Sequence, residues 1–189
     1  MSDVIVYGGA FNPPTLGHLK IIEYLVNKFP NDKIIILPTN NYYKSKDIVS
    51  FEHRKKMLEI MCKNLLHKIE ISDYEQTLDK YYGTYYTLKY FNHPVFVIGA
   101  DSLDTIHKWI KYPDVVLENR FIVFPRVNID INQVINKNDV LLNNKSNFII
   151  CDDFIENDIS STQFRVNKDE SYILKDVLKY IKDNNLYNA

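Results

Sequence analysis

Two short strings near opposite ends of the chain carry residue types suited to holding phosphate. The first is Gly8-Gly9-Ala10-Phe11-Asn12-Pro13-Pro14-Thr15-Leu16-Gly17-His18. Glycines let backbone approach a ligand closely and offer bare N–H groups. Thr15 stands at a helix N-cap position, which puts His18 in the first helical turn. A helix start carries unpaired N–H groups and partial positive charge, so it suits an anion, and a histidine there adds a donor. The second string is Ile159-Ser160-Ser161-Thr162-Gln163-Phe164-Arg165. Ser160 and Gln163 have capping-box spacing, whose commoner meaning is a helix start and nothing more. Three consecutive hydroxyls exceed what a cap needs, however, and Arg165 lies within one turn, where it can share a phosphate with the cap N–H groups. Neither string is a GxGxxG dinucleotide fingerprint or a P-loop.

These strings need elements to position them. Short β-branched runs at Val4–Tyr7, Lys33–Leu37, Lys68–Ser72, Val95–Ile98, Arg120–Phe124 and Asn147–Cys151 read as strands. Helical patterns lie between them at Gly17–Phe29, Phe51–Leu66, Tyr85–Phe91, Asp101–Trp109, Pro113–Glu118 and Asn132–Asn143, with a last helix at Ser171–Asn184. The alternation predicts an α/β fold, a doubly wound parallel sheet with helices on both faces. The strands are continuous apolar runs, as buried parallel strands are. Ligands of such sheets bind beyond the strands' carboxyl ends, which directs attention to the residues after Tyr7, Leu37, Ile98 and Cys151. With 189 residues and no Pro- or Ser-rich linker, the expectation is one domain over 1–189.

Composition narrows the function classes. The chain is 46% hydrophobic and 25% charged with a formal net charge of −1. No global field attracts nucleic acid or acidic membrane, so any polyanion site is local. No apolar run approaches the ~20 residues that span a bilayer, and Val4 follows too soon for a secretory leader. Two cysteines, Cys62 and Cys151, sit far apart; free thiols in a reducing, cytoplasmic compartment are expected, with Cys62 in the core. His53, His67, His93 and His107 read as surface or packing residues. With no HxxxH or Cys/His cluster, no protein-held metal is expected.

The first string resembles the (His/Thr)-x-Gly-His signature of the nucleotidyltransferase superfamily, with Thr15 where many members have His. The second resembles its Ser-x-Thr-x-x-Arg motif. Two further segments are similar to the bacterial-type nicotinate mononucleotide adenylyltransferases: Gly99-Ala100-Asp101 spaced ahead of Trp109, and Thr84-Tyr85-Tyr86-Thr87. The resemblance spans Val4 to Arg165 and implies a Rossmann-like fold. It also implies adenylyl transfer from ATP to nicotinic acid mononucleotide, with nicotinamide mononucleotide as a further acceptor, in NAD biosynthesis. His18 and Arg165 would be catalytic. Gly8, Gly9, Ala10, Phe11, Thr15, Gly17, His18, Gly99, Asp101, Ser160, Ser161, Thr162 and Arg165 would bind ATP, which brings Mg²⁺ with it. Asp101 also suits a helix N-cap. Asn12, Asn40, Lys44, Thr87, Trp109 and Ile110 would bind the mononucleotide. Trp109 would offer its face to the pyridinium cation, although core packing is the commoner use of a tryptophan. Backbone N–H groups at Thr87 and Ile110 would receive the pyridine carboxylate. Donors alone favour an acid over an amide, whose NH₂ would face other donors. Tyr42 and Tyr43 replace the family's prolines beside Lys44. Arg54 also matches the family, although a basic helix face accounts for it equally. The rivals are another transferase of the superfamily, such as a phosphopantetheine adenylyltransferase, a synthetase fragment, and an ATP-binding module without turnover. Homo-oligomerisation stays open.

Overall fold

The computed structural model describes residues 3–42, 48–155 and 159–188, so Lys44 lies outside the described residues. Each of the six apolar runs forms a strand: β1 Val4–Gly9, β2 Lys33–Pro38, β3 Ile69–Ile71, β4 Val95–Gly99, β5 Arg120–Phe124 and β6 Phe148–Ile150. The described α-helices are α1 Leu16–Lys28, α2 Phe51–Met61, α3 Thr84–Tyr90, α4 Ala100–Thr105, α5 Asp114–Leu117, α6 Ile131–Asn136, α7 Asp139–Asn143, α8 Ser161–Asn167 and α9 Lys175–Asp183. Contacts divide the chain into two compact units, Met1–Gly8 with Tyr82–Glu156, and Gly9–Tyr81 with Asn157–Ala189.

In the first unit β1, β4, β5 and β6 pair in that order, all parallel, with Val6 opposite Phe96, Val97 opposite Ile122 and Ile122 opposite Ile149. Phe121, Ile122, Val123 and Phe124 are all buried, which requires cover on both faces of the strand and explains its unbroken apolar sequence. The α4 helix packs on β4 and β5. Its axis tightens at Ile106–Lys108 into a 3-10 turn that ends at Trp109.

In the second unit β2 and β3 are parallel, with Ile35 opposite Glu70, and α2 packs against both and against α9. The α1 helix buries Ile21, Ile22, Leu25 and Val26, one stripe at helical spacing. Cys62, at the end of α2, is fully buried, and burial pushes its thiol up to about 12.

Several expected helices are shorter or broken. Cys62 N–H to Leu58 O is the last helical bond of α2; the chain then closes into a tight turn, Leu65 N–H to Cys62 O, and Leu66 is left exposed. The Asn-rich segment forms α6 and α7 because Asn138 accepts from the N–H groups of Val140 and Leu141 and starts a new helix. The last helix begins at Lys175, since Ile173 takes an extended conformation after a short 3-10 turn. A 3-10 turn at Tyr74–Thr77 has no counterpart in the expected elements.

Candidate active site

The loop leaving β1 folds over its own aromatic ring. Phe11 takes φ 46° and is fully buried. A Cβ at Gly9 would sit 3.1 Å from the Phe11 ring, so glycine is what lets the ring lie against the strand end. The Phe11 ring meets His18 edge-on at 5.0 Å. Thr15 caps α1 with extended backbone, as its spacing predicts. Its N–H donates to His18 Nδ1 at 2.9 Å, and its hydroxyl lies 2.9 Å from the same nitrogen. His18 thus holds the position that Glu or Gln takes in a capping box. With Nδ1 accepting, the neutral ring carries its proton on Nε2, which becomes the donor. Thr15 is almost wholly buried, and its side chain serves His18.

The second string lies against this loop. A Cβ on Gly17 would come within 2.9 Å of the Ile159 carbonyl oxygen, so the start of α1 and the approach to α8 touch through a missing side chain. The Ser161 hydroxyl donates to Pro13 O at 2.7 Å. Arg165 donates from Nη1 to Asn12 O at 2.6 Å and from Nη2 to the Thr162 hydroxyl at 3.2 Å. Ser160 and Gln163 form the capping box. Here the three hydroxyls serve a cap, the Pro13 tie and the Arg165 contact. The α8 helix has seven residues, too few for an extended dipole, so Arg165 is its main source of positive charge.

Arg54 corrects the expectation of a basic surface face. It is fully buried, donating from Nε to Val49 O at 2.8 Å, from Nη1 to Ala10 O at 2.8 Å, and from Nη2 to Thr39 O at 2.6 Å and Asn41 Oδ1 at 3.0 Å. Burial lowers its pKa to about 10, leaving a full charge at neutral pH. Four oxygens offset the desolvation of that charge and tie together the loops after β1 and β2. Asn40 is buried in the second loop. Its Nδ2 donates to Lys80 O at 3.0 Å and its Oδ1 accepts from Tyr42 N–H at 3.1 Å, an Asx turn.

The remaining expected residues lie in the first unit. Gly99, not Asp101, is the N-cap of α4, which corrects the capping alternative for Asp101. A Cβ at Gly99 would stand 2.4 Å from Asp101 Oδ1 and 3.1 Å from Arg126 Nε. Arg126 Nε in turn lies 3.3 Å from Asp101 Oδ1. Sequence reasoning missed Arg126, although it follows the carboxyl end of β5, where such sheets bind ligands. Trp109 is half-buried, with one edge contact to Phe96 at 6.4 Å, so core packing does not account for its whole surface. Gly83 takes φ 101°, and a Cβ there would stand 2.8 Å from Ile110 Cδ1. That close approach seats the start of α3 against the residue after Trp109. Thr87 is buried as the fourth residue of α3, where backbone N–H groups ordinarily serve the helix.

A model of the cytidylyltransferase-like family matches residues 6–167. A probable nicotinate-nucleotide adenylyltransferase of Acholeplasma laidlawii is 37% identical over 97% of each chain. The chain belongs to the cytidylyltransferase-like family, on its nicotinate-nucleotide adenylyltransferase branch. A second relative of this cytidylyltransferase-like chain, a probable nicotinate-nucleotide adenylyltransferase of Sulfurimonas denitrificans, is 32% identical over 97% of this chain and 94% of its own. A solved Plasmodium falciparum nicotinic acid mononucleotide adenylyltransferase, complexed with APC, superposes with a TM-score of 0.82 at 24% identity, covering 100% of this chain and 98% of that one. That likeness shows the Rossmann-like α/β fold. Among the described residues, no group of three or more His, Cys, Asp or Glu gathers, and no helix is long and apolar enough to cross a membrane.

Proposed function

We infer that the chain transfers the adenylyl group of ATP to nicotinic acid mononucleotide, giving the dinucleotide and pyrophosphate. The observation that carries the reading is the joining of the β1–α1 loop to the segment before and within α8. It gathers His18, the start of α1 and Arg165 in one unit. The names of the relatives above support the acceptor, as does a second solved structure of the Plasmodium falciparum enzyme, described as complexed with NaAD.

A phosphate oxygen of the mononucleotide attacks the α-phosphorus of ATP. The bond from that phosphorus to the bridging oxygen breaks, and the electron pair leaves with pyrophosphate. The attacking phosphate is already anionic near neutral pH, so no general base is needed. The barrier lies in bringing two polyanions together and in the charge that develops on the leaving group. His18 donates from Nε2 to that charge, the N–H groups opening α1 add partial positive charge, and Arg165 exchanges Asn12 O for phosphate oxygens. Mg²⁺ enters as the ion of MgATP, held by the phosphates.

Trp109 receives the pyridine ring on its accessible face. The Ile110 main chain donates to the carboxylate, and Thr87 lines the same seat. Asn12 contacts the mononucleotide, and Asn40 shapes the neighbouring loop. Gly99 and Asp101 keep the ATP-binding role that the resemblance gives them. The two buried, free cysteines suit a reducing cytoplasm. The test is ATP with nicotinic acid mononucleotide, nicotinamide mononucleotide or phosphopantetheine, followed by product analysis. The acid should give the highest kcat/KM; a value for the amide or for phosphopantetheine equal to or above it overturns the assignment.

A further inference from the structure

Asn12 is held on several sides. Its Oδ1 accepts from Val49 N–H at 3.1 Å and from the Tyr187 hydroxyl at 2.8 Å, while its main-chain oxygen accepts from Arg165. Two donors on one atom decide which end of the amide is oxygen and aim the NH₂ end the other way. Tyr187 reaches this point from a single turn, Leu186–Asn188, far along the chain. Its ring meets Phe164 of α8 edge to face at 6.1 Å, and Lys168 Nζ donates to its main-chain oxygen. Tyr187 takes φ 59°, a left-handed conformation that a bulky side chain rarely adopts. Its contacts, rather than local preference, hold it there. Burial raises the pKa of the hydroxyl against the pull of Arg54 and Arg165, so it keeps its proton and remains a donor.

We propose that Tyr187 is a positioning residue for adenylyl transfer: its hydroxyl fixes the Asn12 amide in the orientation that receives the mononucleotide. The inference rests on the reading of Asn12 as a mononucleotide contact. Tyr187 also packs on the helix that carries Arg165, so one side chain braces both phosphate-site strings.

Tyr187→Phe keeps the ring against Phe164 and removes only the hydroxyl. Its KM for nicotinic acid mononucleotide should rise about five- to tenfold, the order of one neutral hydrogen bond. Its KM for ATP should stay at the wild-type value, and its Tm should fall by no more than a few degrees, the order of one hydrogen bond. In an Asn12→Ala background the same substitution should have no further effect, because the group it orients is gone. An unchanged KM in Tyr187→Phe overturns the proposal. So does an equal effect in the Asn12→Ala background, or a loss of activity that tracks a fall in Tm. The wild-type product assay reports on the functional reading separately: a chain that adenylylates another phosphate fails that reading, and the cycle is then read with that acceptor.

Discussion

Because the Thr15 N–H donates to His18 Nδ1, removing the imidazole takes a cap from α1 as well as a donor from the site. Two substitutions separate these effects. His18→Ala should lower kcat by at least ~10²-fold, the order lost with one oxyanion-stabilising group. It should also destabilise by about 1 kcal/mol, the order of a lost cap. His18→Glu restores the capping-box geometry with an acceptor-only side chain, so the donor to the site is gone. It should keep a near-wild-type Tm and still lose the activity; full activity in either variant removes His18 from the chemistry. Arg54 shows what residue types cannot announce. Its neighbours Glu52, His53, Lys55 and Lys56 read as a solvated face, and only tertiary packing turns this one side chain inward onto four oxygens. Lysine has no fork to satisfy those acceptors. Arg54→Lys should therefore destabilise by about 2–4 kcal/mol, measured by urea unfolding.

At the scale of elements, the two strings were legible because capping and glycine chemistry are local. Thr15 and Ser160 both cap the helices that their spacing implies. The strands were legible as apolar runs, with β5 falling on its expected residues. Helix ends were less so: α2 stops at Met61, short of an exposed Leu66, and the break at Asn138 comes from a side chain that starts α7. Beside the Ser161–Pro13 and Arg165–Asn12 hydrogen bonds, the strings meet where Gly17 approaches the Ile159 carbonyl. A methyl group there must push the start of α1 from the approach to α8. Gly17→Ala should lower kcat/KM for ATP at least ~tenfold, as small misplacements of positioned groups do. A wild-type value would show that the junction tolerates the shift. Gly83→Ala, at φ 101° against Ile110, should destabilise by about 1–3 kcal/mol and raise KM for the mononucleotide more than for ATP.

At the scale of the whole molecule, composition predicted a domain-sized apolar interior, and the burial of Cys62 and Cys151 follows from it. Burial keeps the Cys62 thiol protonated at working pH. Both thiols should resist a disulfide reagent at pH 8 in the folded chain and react fully in urea; rapid reaction of Cys62 in the native state would contradict the packing. The division of the chain into two units, with breaks after Gly8, Tyr81 and Glu156, was not legible, because it arises from contacts between segments distant in sequence. The reading of function depends most on the second of these units, where the two distant strings meet. Calorimetric titration of pyrophosphate into the wild type, His18→Ala and Arg165→Ala tests it most directly. Each substitution should weaken binding at least ~tenfold, the order of a charge-assisted hydrogen bond. Wild-type affinity in either variant would mean that the two strings do not hold the same phosphates.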